Sequence, residues 1–365
     1  MKGRSLDGAR TTGTGILAAR QIAALAASGA ISAPPFAPAQ VQPASLDLRL
    51  GEVAYRVRAS FLPGAGAPVA ARLREFEMHR FELSGGAVLE KGCVYLVPLQ
   101  EALALPPGLS AAANAKSSTG RLDLLTRTVT DGGTEFDRIP PGYRGPLWAE
   151  ICPRSFSILV RPGMRLNQIR FRAGEAMLDD AALRALHARM PLVDGAAHVD
   201  GGLAFSVDLS PKPGAVAGWR AKPHSGVIDL DRIAHYDPLE FWEPLHAPER
   251  RIVLDPGAFY ILVSREAVSI PPDHAAEMAP FLAMAGEFRV HYAGFFDPGF
   301  GHGVPARGVL EVRAHEAPFV LEHGQVVGRL VFERMAEAPE ALYGAGIASS
   351  YQGQGLKLSK HFRTG

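Results

Sequence analysis

A chain of 365 residues, 47% of them hydrophobic, can bury one large core or two ordinary ones. Its formal charge of +1 and pI near 7.9 give no bulk attraction to nucleic acid or membrane, so any bound anion must be met by local cations. Cys93 and Cys152 are the only cysteines, which excludes a disulfide framework or a cysteine-built metal cluster and suits the cytoplasm.

Residues 1–14 carry no periodic pattern. The apolar run Ile16 to Ile31 is mostly alanine and is interrupted by Arg20 and Gln21, so it lacks the core of an export signal. No stretch reaches the roughly 18 apolar residues of a membrane span, and a soluble protein is expected. Ile16, Leu17, Ile22 and Leu25 predict one helix ending at Ser28-Gly29, followed by a proline-rich connector over 33–38. Leu46, Leu48 and Leu50 alternate with polar neighbours and predict a half-buried strand. A second strand starts at Gly92, and Leu105-Pro106-Pro107-Gly108 turns the chain toward Lys116-Ser117-Ser118-Thr119-Gly120-Arg121. A hairpin over 137–142, a strand containing Glu150 and a run over 158–171 follow. Residues 174–190 predict a linking helix. The 39 glycines and 29 prolines favour short strands and tight turns throughout.

The second half repeats the first. Glu150 precedes Gly163 by 13 residues and Glu311 precedes Gly324 by 13; Tyr95 precedes Pro106 by 11 and Tyr260 precedes Pro271 by 11. Asp47 is echoed by Asp208. Matched spacings in order predict two copies of one all-β domain. The expected division is an N-terminal helix and connector over 1–40, a first domain over 41–175, a linker helix over 176–195, a second domain over 196–335 and a tail over 336–365. The copies diverge: Phe281-Leu282-Ala283-Met284-Ala285-Gly286 stands where the first has its hydroxyl-rich loop, while the second has Asp297 in Phe296-Asp297-Pro298-Gly299.

Three hydroxyls, a glycine and two cations within the six residues Lys116 to Arg121 can cradle a phosphate. A glutamate in an apolar strand, its pKa raised by partial burial, can take a proton from water and return it. Glu150 is the first candidate, with Trp148 and Ile151 beside it, and Glu311 the second. The His-x-Glu and Pro-Cys-x-x-Cys pattern of zinc nucleobase deaminases is absent. Cys93 and Cys152 read as core fillers, and His291, His302, His315 and His323 as structural or surface residues.

The strand Gln42-Pro43-Ala44-Ser45-Leu46-Asp47-Leu48, the loop Lys116 to Arg121, Gly142-Tyr143-Arg144-Gly145 with Glu150, and the tail Tyr351-Gln352-Gly353-Gln354-Gly355 together resemble the dCTP deaminase branch of the dUTPase-like superfamily, in its long, duplicated bacterial form. The resemblance is fuller over 15–175 and the tail than over the second copy. It implies two tandem distorted β-barrels of jelly-roll type, a homo-oligomer with trimers favoured, and sites between neighbouring domains. The implied reaction is metal-independent hydrolysis of the 4-amino group of dCTP to dUTP and ammonia, in the supply of thymidine nucleotides. Ser117 and Arg121 fall on the family's catalytic serine and arginine, Glu150 on its proton-shuttling glutamate, and Lys116 on a position usually held by arginine. Ser118, Thr119 and Gly120 complete the substrate loop, Trp148 and Ala149 fall on the base pocket, Tyr143 on the hairpin, and Tyr343, Tyr351 and Gln354 on the tail that closes over the nucleotide. A lysine that often precedes the second of those tyrosines falls on Ser350, so a phosphate contact is either missing or comes from Lys357 or Lys360. The hairpin aspartate falls on Pro140, whereas the second copy keeps Asp297. Either the first copy works without it or the working site combines both copies, and then Glu311 competes with Glu150. Magnesium is expected as an escort of the triphosphate, with no zinc; dTTP as a ligand stays open. A dUTP pyrophosphatase, or a bifunctional deaminase and pyrophosphatase, is the alternative within enzymes. A non-catalytic nucleotide-binding module is the alternative of another class.

Overall fold

The computed structural model describes residues 13–210, 212, 214–280, 288–291, 294–314, 316–344 and 353–364. Ile22 and Leu25 are buried on one face of the helix Ala19–Ala27, which stops where Gly29 takes φ +81°. The linking helix spans Asp180–Arg189, and Asp179 caps it by accepting from the amide of Ala182 at 2.8 Å.

The alternation at Leu46–Arg49 does form a strand, but it is buried on both faces rather than half-buried. Asp47 and Arg49 are enclosed along with the leucines. Arg49 is paired there, its Nε donating to Glu101 Oε1 at 2.8 Å.

In the first half, Arg165–Ala173 lies between Leu109–Ala115 and the short strands Gly15–Ile16 and Leu46–Arg49. Facing it is a sheet ordered Glu77–Glu82, Val53–Val57, Val94–Ala104, Arg144–Pro153, Leu124–Thr130. The second half repeats this with Val326–Arg334 between Leu203–Ser206 and His274–Pro280, and with Phe259–Val268 and Ala306–Ala314 at the centre of a second five-stranded sheet. The mostly β character agrees with the sequence. The two closed jelly-roll barrels do not: among the described residues the strands form six open sheets, none of which closes on itself. The sheets end on edge strands such as Glu77–Glu82 and Leu124–Thr130, and they meet through packed apolar side chains, Leu46, Leu48 and Ile169 with Val97, Leu103 and Ile151 in the first core, rather than through further ladders.

The repeat is visible atom by atom. Tyr95 Oη accepts from the amide of Glu90 at 2.9 Å, and Tyr260 Oη accepts from the amide of Asp255 at 2.8 Å. Glu150 pairs across the sheet with Leu96, and Glu311 with Ile261. The echo of Asp47 in Asp208 is corrected by register: Gly51 donates to Pro98 O as Asp208 donates to Val263 O, so Asp208 answers Gly51.

The halves are joined along their length. Ile158–Val160 pairs in parallel with Ile228–Asp229, and Arg161 forms an ion pair with Asp229 at 2.8 Å. From the second half the chain end returns to the first core, where Leu358 and Phe362 are buried and Phe362 packs against Phe241, Trp242 and Tyr236. Cys93 and Cys152 are free and only partly buried, not core fillers.

Candidate active site

After the strand Leu109–Ala115 the chain makes a single helical turn, Ser117–Gly120, closed by amides of Thr119 and Gly120 donating to Lys116 O at 2.8 and 2.9 Å. Small hydroxylated residues and glycine suit such a turn, and it delivers Arg121 into the interior. The Arg121 side chain is 3% exposed. Its Nη1 donates to Lys357 O at 3.0 Å and its Nη2 to Gln354 Oε1 at 2.9 Å, both in the returning chain end.

Across from the turn stands the central strand Ala306–Ala314 of the second half, which carries Glu311. Arg121 Nε lies 3.9 Å from Glu311 Oε1. Glu311 is 2% exposed, and its Oε2 has no hydrogen-bond partner. Burial raises its pKa to about 8, with Arg121 opposing the shift. A buried carboxyl titrating near neutrality beside a fixed cation is suited to exchanging protons with a substrate.

A cavity of about 300 Å³ opens between the two halves around this pair. Lys116, Ser117, Ser118 and Arg121 line it from the first half, Asp297 and Glu311 from the second, and Tyr343 and Gln354 from the tail. Burial raises the pKa of Asp297, opposed by Arg170, whose Nη2 donates to it at 3.3 Å. Lys116 forms an ion pair with Asp47 Oδ2, and Arg165 lies 3.7 Å from the same oxygen. Lys360 also lines the cavity; burial and the charge of Lys116 lower its pKa. Phe295, Phe296 and Phe300 form an apolar wall, with Phe300 5.6 Å from the ring of Tyr343.

Other expected site residues lie elsewhere. Glu150 is outside the lining of this cavity: Oε1 accepts from Arg127 Nε at 3.1 Å and also from Arg127 Nη2. The guanidinium of Arg127 lies 3.6 Å over the ring of Phe136 and reaches Ser60 Oγ at 3.1 Å. Trp148 packs in a separate cluster with Tyr55 and Val129, and Ala149 is fully buried in the first core. Tyr143 is structural in its contacts, accepting from the amide of Asp131 at 3.1 Å and donating to Pro146 O at 2.6 Å; burial raises its pKa to about 12. Thr119 and Gly120 form the back of the turn, and Thr119 lines an adjoining depression with Lys360. Tyr351 lies outside the described residues, as does His315.

Register explains the asymmetry. Ile139 pairs with Ala111 as Phe296 pairs with Ala276, so Pro140 follows the first strand where Asp297 follows the second. The spacing that relates Glu150 to Glu311 carries Trp148 to Val309, and Val309 lines the cavity. Val309 and Phe295 are absent from the site expected from the sequence, whereas Lys360, offered there with Lys357 as a phosphate contact, does line the cavity. The repeat offset was a signal for Val309; only tertiary proximity identifies Phe295. Among the described residues there is no cluster of three or more His, Cys, Asp or Glu arranged to hold a metal, and no helix long and apolar enough to cross a membrane.

Residues 13–175 match the family model of the 2'-deoxycytidine 5'-triphosphate deaminase N-terminal domain, and residues 179–362 that of the C-terminal domain. The chain is 32% identical over 160 residues to "dCTP deaminase, dUMP-forming" of Acidothermus cellulolyticus, covering 42% of this chain and 78% of the relative. It is 29% identical over 134 residues to the dCTP deaminase of Halorubrum lacusprofundi, covering 36% of this chain and 63% of that relative. The crystal structure of 2'-deoxycytidine 5'-triphosphate deaminase from Agrobacterium tumefaciens superposes with a TM-score of 0.85 at 57% identity, covering 89% of this chain and all of that one.

Proposed function

We propose, from the premise that the chain belongs to the 2'-deoxycytidine 5'-triphosphate deaminase family, that it deaminates dCTP in the cavity shared by its two halves, with Glu311 as the acid and base. The observation that carries this reading is Glu311 lining the cavity beside Arg121, with its buried Oε2 lacking a hydrogen-bond partner. In its ionised form Glu311 takes a proton from water as the oxygen adds to C4 of the cytosine ring. The same carboxyl returns protons to the ring nitrogen and the departing amine, so that dCTP and water give dUTP and ammonia. Ser117 holds the water or the amine, and Arg121 stabilises charge developing at the ring. Lys116 and Lys360 meet the triphosphate, the latter supplying the contact missing at Ser350.

The relatives named dUMP-forming favour a fuller reading, in which the same protein hydrolyses the dUTP product to dUMP and pyrophosphate. Asp297, in the hairpin that borders the cavity, is the carboxylate placed to activate the second water. Magnesium carried on the triphosphate would supply charge neutralisation and would need few protein ligands; Asp47, which lines the cavity and whose buried Oδ1 has no hydrogen-bond partner, would meet its water shell. The chain supplies both sides of its cavity, so assembly, as a trimer in this reading, is not required to complete it.

The test is product analysis with dCTP and Mg2+, and separately with dUTP, following ammonia, dUTP, dUMP and pyrophosphate for wild type, Glu311→Gln and Glu150→Gln. Ammonia lost with the Glu311 change and kept with the Glu150 change is the expected result; the reverse pattern refutes the site. Pyrophosphate released with dUMP supports the bifunctional reading, and dUTP accumulating without it refutes that part.

A further inference from the structure

Two residues beyond Arg121, the chain adopts a conformation that an L-residue seldom takes. Asp123 has φ +53°, in the left-handed region that glycine enters freely. Its side chain is fully buried, and Oδ2 accepts from Ser155 Oγ at 2.6 Å and from Arg313 Nη2. Arg313 in turn stands two residues beyond Glu311 on the strand Ala306–Ala314, so the two side chains leave the same face. Arg313 also donates to Gly257 O and, at 3.3 Å, to Ser155 Oγ.

Two cross-half charge pairs therefore run side by side with opposite polarity: Arg121 of the first half facing Glu311 of the second, and Asp123 of the first facing Arg313 of the second. They differ in closeness. Arg121 and Glu311 stand 3.9 Å apart, and Arg121 donates to Lys357 O and Gln354 Oε1 of the tail; Asp123 and Arg313 are in direct contact. A strained backbone and a buried ion pair are both costly, and the surrounding structure maintains both next to the cavity. We infer that the Asp123–Arg313 pair is a positioning device, which pins the Lys116–Arg121 turn against the glutamate strand and holds Arg121 near Glu311 without letting them bond. With this separation Oε2 of Glu311, a residue that lines the cavity, keeps no hydrogen bond. Besides Arg313, the charged group acting on Asp123 is Arg154.

This inference rests on Glu311 and Arg121 being the reacting pair, so the experiment carries Glu311→Gln in parallel. Steady-state deamination of dCTP by the full chain is measured for Asp123→Asn, which keeps shape and removes charge, and for Arg313→Lys, with melting curves for each. The expected result is a folded Asp123→Asn protein whose kcat falls about tenfold or more while KM changes less than about threefold, with Arg313→Lys intermediate. A purely structural pair would lower the melting temperature and leave kcat of the folded protein unchanged. A folded Asp123→Asn protein with wild-type kcat overturns the inference. Should Asp123→Asn fail to fold, Ser155→Ala decides, because it removes the two hydrogen bonds of Ser155 Oγ to the pair and keeps the charges: a loss of about twofold to fivefold in kcat at constant KM supports the device, and an unchanged kcat overturns it. Wild-type turnover by Glu311→Gln refutes the proposed site itself; an inactive Glu311→Gln alongside a wild-type Asp123→Asn refutes only the positioning role.

Discussion

Glu150 and Glu311 occupy the same place in two copies of one strand and keep opposite company. Glu150 is bonded to Arg127 on the neighbouring strand, whereas Glu311 keeps an oxygen free of hydrogen bonds and faces Arg121 of the other half. The first carboxylate has its charge committed within its own sheet. The second is buried and only partly compensated.

Replacing Glu311 by Gln is therefore expected to lower the deamination rate by about 10²–10⁴-fold, the span typical of a lost general acid and base. Glu150→Gln is expected to stay within about threefold of wild type in kcat/KM, since it leaves the cavity lining intact. Ammonia release by the two purified proteins measures both.

The pKa of Glu311 gives a pH dependence of definite sign. It stands at about 8 in the folded chain against an ordinary 4.5, so between those values the folded state holds a proton that the unfolded state has released. The contribution of Glu311 to stability is fully present below about pH 4.5 and is lost as pH rises through about 8. Melting temperatures recorded over that range are expected to fall more steeply with pH for wild type than for Glu311→Gln. The same titration predicts that kcat/KM for dCTP rises from pH 6 toward about 8, as the basic form of Glu311 is populated.

Arg170 is 2% exposed and donates to Ala276 O at 3.1 Å, to Phe296 O at 3.3 Å and to Asp297, with Phe295 stacked 4.0 Å from the guanidinium. Arg170→Met removes the cation that faces both Asp297 and Glu333. The expected cost is about 3–5 kcal/mol in unfolding free energy, read from urea denaturation.

Phe362 fastens the chain end in an aromatic cluster, and the segment before it meets Arg121 through Gln354 and Lys357 O and meets Ser118 O through Ser359 Oγ at 2.7 Å. Phe362→Ala is expected to cost about 3–5 kcal/mol. Because the same segment lines the cavity, KM for dCTP is expected to rise as well, which initial rates at several substrate concentrations would show.

The parts of this arrangement carried by short, polar stretches are legible in the sequence. Lys116 to Arg121, Asp297 and Gln354 each stand out locally, and the doubled spacings expose the repeat. The choice between glutamates is not legible, because Ala149-Glu150-Ile151 and Leu310-Glu311-Val312 look alike and the residue that separates them, Arg127, lies on another strand. Whether sheets close is equally hidden: alternating apolar residues suit an open edge and a closed ring alike. Asp123 shows neither its positive φ nor its partner, since Arg313 is 190 residues away.

The composite cavity also constrains the history of the chain. When a domain duplicates, each copy can shed what its sibling retains, provided the two stay in contact. Here one half carries the hydroxyl-rich loop and the other the hairpin aspartate, with Pro140 and Phe281-Leu282-Ala283 at the matching places, as complementary losses would leave them. Such losses act as a ratchet. Neither half cut loose brings the whole cavity lining with it, and a later lineage cannot return to the single-copy form without regaining several residues at once.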